Sequence, residues 1–194
     1  MNEKECETKN DGQKNPLANE INKRFLEERK IFLWDEVSDE SSADIVRKLL
    51  YLDMLDHDKE ITLYMSTPGG SISAGMAVYD AMKLIKAPVK VVVVGIAMSM
   101  GSILLSAAPK GRRFLFPSAR VMIHQPYGGA TGQSRDISIA ANEILRWRKK
   151  INEILSKDTG KSVEQIEKDS DRDFFMTAQE AVDYGLADGI ITEL

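Results

Sequence analysis

The sequence predicts an α/β protein built on a largely parallel sheet. Short β-branched and aromatic runs alternate with longer segments whose apolar residues recur at helical spacing. Gly and Pro mark the turns between them, as in Pro68-Gly69-Gly70, Pro88 and Pro109-Lys110-Gly111. The length, 194 residues, is that of one domain with a core large enough to need no cross-links.

Residues 1–18 are polar, rich in Glu, Lys and Asn, and read as a mobile tail; residues 19–194 read as the folded domain. Residues 19–30 place Ile21, Phe25 and Leu26 on one side of a helix, and Ile31–Trp34 is a short apolar strand. Ser41-Ser42-Ala43-Asp44 signals a helix start, which Ile45, Val46, Leu49, Leu50, Leu52 and Leu55 continue. Asp56-His57-Asp58-Lys59 is a charged turn before a strand over Ile61–Met65. After Pro68-Gly69-Gly70 a helix is expected over Ile72–Ile85, and Val89–Val94 is a buried strand.

The second half continues with a helix over 99–108, strands over Arg112–Phe116 and Val121–Gln125, and a loop at Gly128, Gly129 and Gly132. One long helix is expected over 134–157, with Ile137, Ile144, Leu145, Ile151 and Leu155 near one face and Thr159-Gly160 as its end. Ser162-x-x-Gln165 and Thr177-x-x-Glu180 are capping boxes that open two short helices. Tyr184-Gly185 closes the second, and Ile190-Ile191 is a final strand.

Composition removes several classes of function. Lys and Arg number 26 against 30 Asp and Glu, a net charge of −4, which is the wrong balance for a nucleic-acid binder. One cysteine, Cys6, allows no internal disulfide and fits a reducing compartment. The first 20 residues hold no apolar segment of the secretory kind. Val91–Ala108 is uncharged and long enough for a minimal membrane span. Its four valines followed by Gly95, Ser99, Gly101 and Ser102 read instead as strand, turn and buried helix, so no membrane partner is expected. With His57 and His124 the sole imidazoles, and no CxxC, HExxH or Walker motif, no metal site is expected.

The richest stretch is Val91–Gly101. A buried strand runs into Ala97-Met98-Ser99-Met100-Gly101, where small flanking residues allow a sharp strand-to-helix bend. That bend lifts a serine to a helix N-terminus, where free N–H groups and the helix dipole favour an oxyanion. A serine packed in a Gly-Ala-rich core bend would give the same pattern. A nucleophilic serine needs a base. His57 lies among Asp56 and Asp58 in a polar turn and reads as solvated, whereas His124 ends a strand and precedes a glycine-rich loop, where α/β sheets place their sites. A third group must orient the imidazole, and Asp169, Asp171 and Asp173 are candidates. Asp173 abuts Phe174 and Phe175 and is expected to be drawn toward the interior. The N–H groups of Gly70 and Met100 are placed to form an oxyanion hole.

These residues resemble the proteolytic-subunit family of the Clp protease. Gly95-Ile-Ala-Met-Ser99-Met-Gly101 resembles its nucleophile motif. Val121-Met-Ile-His124-Gln-Pro126 resembles its histidine motif, and Ile166-Glu-Lys-Asp-Ser-Asp-Arg-Asp173-Phe its aspartate motif, in the family's order. Ser66-Thr-Pro-Gly-Gly70 and Ala178-x-x-Ala181-x-x-Tyr-Gly-Leu186 also match, and the likeness spans about residues 21–193.

The resemblance implies a crotonase-like α/β head of repeated ββα units, with a protruding handle helix around 134–157. It implies two stacked heptameric rings enclosing a serine endopeptidase of unfolded polypeptides. Ser99, His124 and Asp173 would be catalytic, Gly70 and Met100 would bind the oxyanion, and Ile72, Gln125 and Pro126 would lie beside the substrate. Asp171 and Arg172 would make the ring-to-ring contact. It implies no cofactor on this chain, ATP being used by a partner AAA+ unfoldase of the ClpX, ClpA or ClpC type, and a bacterial cytoplasmic location.

Three departures stand out: the polar residues 1–18 in place of an apolar axial segment, Ser66-Thr67 in place of Asn-Ser, and Met98 in place of a small residue. They point to a second, atypical paralogue that assembles with another such subunit. The alternative reading is therefore a weakly active or inactive structural or regulatory member of a mixed barrel. An acyl-CoA hydratase or thioesterase on the same fold would leave the three motifs a coincidence. A Ser-Lys dyad using Lys83 or Lys110 would leave His124 unexplained.

Overall fold

A computed structural model describes residues 16–129 and 131–193. Residues 1–15 of the expected tail, with Cys6, lie outside the described residues, and 16–18 already belong to the first helix. The order is α1 (Pro16–Glu27), β1 (Lys30–Leu33), α2 (Asp39–Leu55), β2 (Ile61–Thr67), α3 (Ile72–Leu84), β3 (Val89–Met98), α4 (Met100–Ala107), β4 (Arg113–Leu115), β5 (Arg120–Ile123), α5 (Ser134–Thr159), α6 (Val163–Asp169), β6 (Phe174–Thr177), α7 (Ala178–Tyr184) and β7 (Gly189–Ile190).

The strands form one sheet in the order β1-β2-β3-β4-β7, all parallel, with β5 branching from β3 and carrying β6 antiparallel on its far side. The expected α/β class with parallel pairing is what is seen. β3 is the pivot. Val91–Val93 pair with β4, whereas Ile96–Met98 pair with β5. This long strand lets the sheet split and leads the chain to Ser99.

Several boundaries differ from expectation for local reasons. α2 starts at Asp39 because the reciprocal capping box joins Ser38 and Ser41, each side chain bonding the other residue's N–H. Asp44, expected in that box, pairs with Lys48 instead, at 2.6 Å. β3 runs four residues past Val94. Ser66 Oγ accepts the N–H of Ile96 at 3.3 Å where β2 and β3 shift register, and a Cβ on Gly95 would stand 2.6 Å from that hydroxyl. Thr177 and Glu180 form the expected box at α7, while at α6 Ser162 accepts from the N–H of Gln165 without reciprocation.

The uncharged Val91–Ala108 stretch is divided between β3 and α4, and all eight residues of α4 are buried. No helix among the described residues is long and apolar enough to cross a membrane. The long helix expected over 134–157 is α5. Its last turns bury Ile151, Ile154 and Leu155, while Ile137, Ile139 and Leu145 in its first half are exposed. Arg113, 3% exposed, anchors the β4–β7 side by bonding Asp188 and the carbonyls of Asp158 and Gly185.

Candidate active site

The site is assembled by two strand registers. In the parallel pair Met98 stands beside Met122, and the N–H of Ser99 donates to the carbonyl of Met122 at 2.9 Å. In the antiparallel pair Ile123 stands opposite Phe174, so His124 and Asp173 are the next residues outward. His124 Nε2 lies 2.8 Å from Ser99 Oγ, and His124 Nδ1 lies 3.0 Å from Asp173 Oδ1. The three residues chosen from the sequence thus form one hydrogen-bonded row. His57 stands apart, on the surface turn, 3.9 Å from Asp58.

Ser99 has φ 52° and ψ −119°, a backbone conformation that side-chain-bearing residues seldom adopt. The strain belongs to the bend that the small flanking residues permit. A serine preceding a helix ordinarily spends its hydroxyl capping that helix. Ser99 makes no such cap, so Oγ is left for His124 and the N-terminus of α4 opens on the site.

Asp173 corrects one expectation. Its side chain is 58% exposed, and Phe174 and Phe175 are exposed too, so they do not draw it inward. Its segment is fixed from behind. Ser170 is buried, and its carbonyl accepts the N–H of Gln125 at 2.7 Å. Asp169 accepts from Tyr184 Oη at 2.8 Å and from Gln165 Nε2 at 2.7 Å. Burial, then the contact with Asp169, raises the Tyr184 phenol well above its ordinary value, so it remains a donor.

The Pro68-Gly69-Gly70 turn packs directly on the serine bend. A Cβ on Gly69, at φ 95°, would come 2.6 Å from the carbonyl of Met98 and 2.7 Å from Ser99 Cβ. Val37 brackets Gly70: its N–H donates to Gly69 and its carbonyl accepts from Ser71, both at 2.7 Å. In such a parallel bridge the central residue's own N–H points away from the partner strand. Among the described residues, neither the N–H of Gly70 nor that of Met100 is given to a protein acceptor. Thr67, fully buried, accepts the N–H of Gly69 at 3.1 Å and stabilises the turn.

Beside Ser99 lies a cleft of about 240 Å³ lined chiefly by Ile72, Met100, Ile103, Pro126, Ile151 and Leu155. Of the expected substrate neighbours, Ile72 and Pro126 line it, as do Gly70 and His124. Gln125 does not. Both its amides are turned to the aspartate segment, Nε2 donating to the carbonyl of Asp171 at 3.0 Å. Asp171 and Arg172 are highly exposed on the rim, with Oδ2 and Nε 3.9 Å apart. In the sequence Ile151 and Leu155 read as one face of the long helix and Ile103 is unmarked; their convergence on the cleft is tertiary. Among the described residues no group of three or more His, Cys, Asp or Glu side chains could hold a metal ion.

Comparison with known proteins identifies related chains. The family described as Clp protease matches residues 12–194. The ATP-dependent Clp protease proteolytic subunit of Ligilactobacillus salivarius (strain UCC118) is 51% identical over 174 residues, covering 90% of this chain and 88% of its own length.

Proposed function

The chain belongs to the Clp protease family and is a serine peptidase subunit of the Clp system, and on that premise we propose that Ser99, His124 and Asp173 perform its peptide hydrolysis. The observation that carries this is the row Ser99 Oγ, His124 Nε2, His124 Nδ1, Asp173 Oδ1, with contacts of 2.8 and 3.0 Å, at a strained strand-to-helix bend.

With its proton on Nδ1, His124 donates to Asp173 and accepts from the Ser99 hydroxyl at Nε2. Ser99 Oγ attacks the substrate carbonyl carbon as its proton passes to His124. The oxygen that becomes negative is met by the N–H groups of Gly70 and Met100. His124 then protonates the leaving amine, the C–N bond breaks and an ester on Ser99 remains. Water, deprotonated by His124, cleaves that ester and restores the serine. The acyl-side residue of the substrate occupies the apolar cleft. No step asks for a cofactor on this chain, and ATP is consumed by the partner.

The subunit is proposed to work in two stacked heptameric rings. The exposed apolar residues of the first half of α5 support this, and Asp171 and Arg172 on the rim are assigned to the contact between rings. An AAA+ unfoldase delivers unfolded polypeptide, and the location is the bacterial cytoplasm. Nothing in the comparisons favours an inactive regulatory subunit.

The test is intact-mass measurement after treating the chain with a fluorophosphonate probe. One adduct on the wild type and none on Ser99→Ala is expected. Equal labelling of both, or none on the wild type in its own purified assembly, would overturn the assignment.

A further inference from the structure

We infer that Ser102 is a positioning residue for peptide hydrolysis: its hydroxyl holds the carbonyl of Ser99 and so aims the N–H of Met100 at the developing oxyanion. This rests on the roles assigned above to Ser99 and Met100. Ser102 is 1% exposed, sits in the first turn of α4 and lines the cleft. Its Oγ donates to the carbonyl of Ser99 at 2.7 Å, and its N–H donates to the same oxygen at 3.0 Å.

That oxygen and the N–H of Met100 belong to one planar peptide group and point in opposite directions. Fixing the first therefore fixes the second. The restraint matters here because the plane follows a residue at φ 52°, ψ −119°, where rotation toward a relaxed conformation is downhill. Ser99's own hydroxyl supplies no cap to hold the helix start. A second effect is electronic. Donors on the carbonyl polarise the amide and make its N–H a stronger donor in turn.

Serines within helices often bond a carbonyl in the preceding turn for no reason beyond satisfying the hydroxyl. Ser106 is such a case and an internal control. It is also 1% exposed and donates to the carbonyl of Ile103 at 3.0 Å, but that peptide's N–H lies inside the helix. The two serines make like bonds, and only Ser102's acceptor belongs to a peptide that opens on the cleft.

The test uses the full chain in its own assembly, with a peptide substrate, the matching peptide aldehyde and the matching peptide alcohol. The aldehyde adds to Ser99 and places an oxygen in the oxyanion site, whereas the alcohol only occupies the cleft. Removing an oxyanion donor outright costs about 10²–10³ in kcat, so a misaimed donor in Ser102→Ala should cost about tenfold in kcat and about tenfold in aldehyde affinity. KM and alcohol affinity should stay within about twofold of wild type.

Ser102→Cys, of similar size but a weaker donor, should fall between the two and also serves if the alanine variant does not fold. Ser106→Ala should match wild type. The inference is overturned if Ser102→Ala keeps kcat and aldehyde affinity within about twofold, if Ser106→Ala loses as much, or if KM and alcohol affinity move as far as kcat. Failure of the underlying assignment is distinct: the wild type itself would then lack Ser99-dependent labelling.

Discussion

His124 faces Asp173 because Ile123 pairs with Phe174. Ile123–Phe174 is the last rung of the antiparallel β5–β6 ladder, and the two residues one step beyond it meet in the 3.0 Å contact between Nδ1 and Oδ1. The parallel pairing of Met98 with Met122 likewise brings Ser99 to the imidazole's other nitrogen. Alignment of the three groups is thus a property of strand register, and a slip of one residue in either pair would turn a reacting side chain to the opposite face.

Asp173→Asn should leave the fold intact and lower kcat. A buried triad aspartate replaced in this way costs about 10⁴ through the wrong imidazole tautomer. The Asp173 side chain is 58% exposed, and solvent screens it, so a smaller loss of about 10²–10³ in kcat with little change in KM is expected. Steady-state peptide hydrolysis measures this, and a near wild-type kcat would remove Asp173 from the mechanism.

Gly69→Ala should damage the site more than the fold. The new methyl would press on the Met98 carbonyl and on Ser99 Cβ, at 2.6 and 2.7 Å, from a backbone at φ 95°. Strain of this kind costs about 1–3 kcal/mol, and displacing the nucleophile by about 1 Å should cost about 10²-fold in turnover. Gly129→Ala, where an added Cβ meets nothing within 4 Å, is the control. Thermal melting read beside fluorophosphonate labelling rate separates the two effects, and unchanged labelling in Gly69→Ala would refute the packing argument.

The serine and histidine were legible because the roles proposed for them impose local patterns: small residues around a bend at Ser99, and a strand end before glycines at His124. What supports them was not. Gly95 looked like the end of β3, and only the Ser66 hydroxyl lying over it from β2 shows why the strand continues. β6 was hidden because Phe174 and Phe175 resembled an inward-facing pair, whereas a strand on the sheet's edge leaves both exposed. Gln125, which the resemblance places beside the substrate, gives both its amide donors to residues 170 and 171, far along the chain, and no local pattern marks those partners. Local chemistry could be read from sequence; partners set by sheet order could not.

The Arg113–Asp188 pair should govern part of the acid stability. Burial works against the ionised Asp188, but the Arg113 side chain and the N–H groups of Arg113 and Gly111 outweigh it and hold the carboxyl below its ordinary value. A depressed native value means the stabilisation is complete above the unfolded value, about pH 4, and is lost as pH falls through the native one. Arg113 is 3% exposed, so Asp188→Asn leaves a buried cation unpaired and should cost about 3–5 kcal/mol at neutral pH. Melting temperatures from pH 7 down to about pH 3 should fall more gently for the variant than for wild type below about pH 4; parallel curves would sink the assignment.

The cleft beside Ser99 should select apolar residues on the acyl side of the scissile bond. Ile72, Ile103, Ile151 and Leu155 converge on it; of its polar side chains, Ser99, Ser102 and His124 are already engaged in hydrogen bonds, and Tyr127 is almost wholly exposed. A charged side chain entering would lose its hydration without finding a partner. An apolar chain such as Met or Leu would gain about 25 cal/mol per Å² buried. In a series of peptides differing only at that position, kcat/KM should be higher for Leu or Met than for Asp by about 10²-fold or more. Ile103→Trp, which fills the cleft from α4, should narrow the ratio by penalising Leu and leaving Ala-containing peptides less affected. Equal rates across the series would mean that the acyl-side residue binds elsewhere, and the cleft would then have no part in recognising substrate.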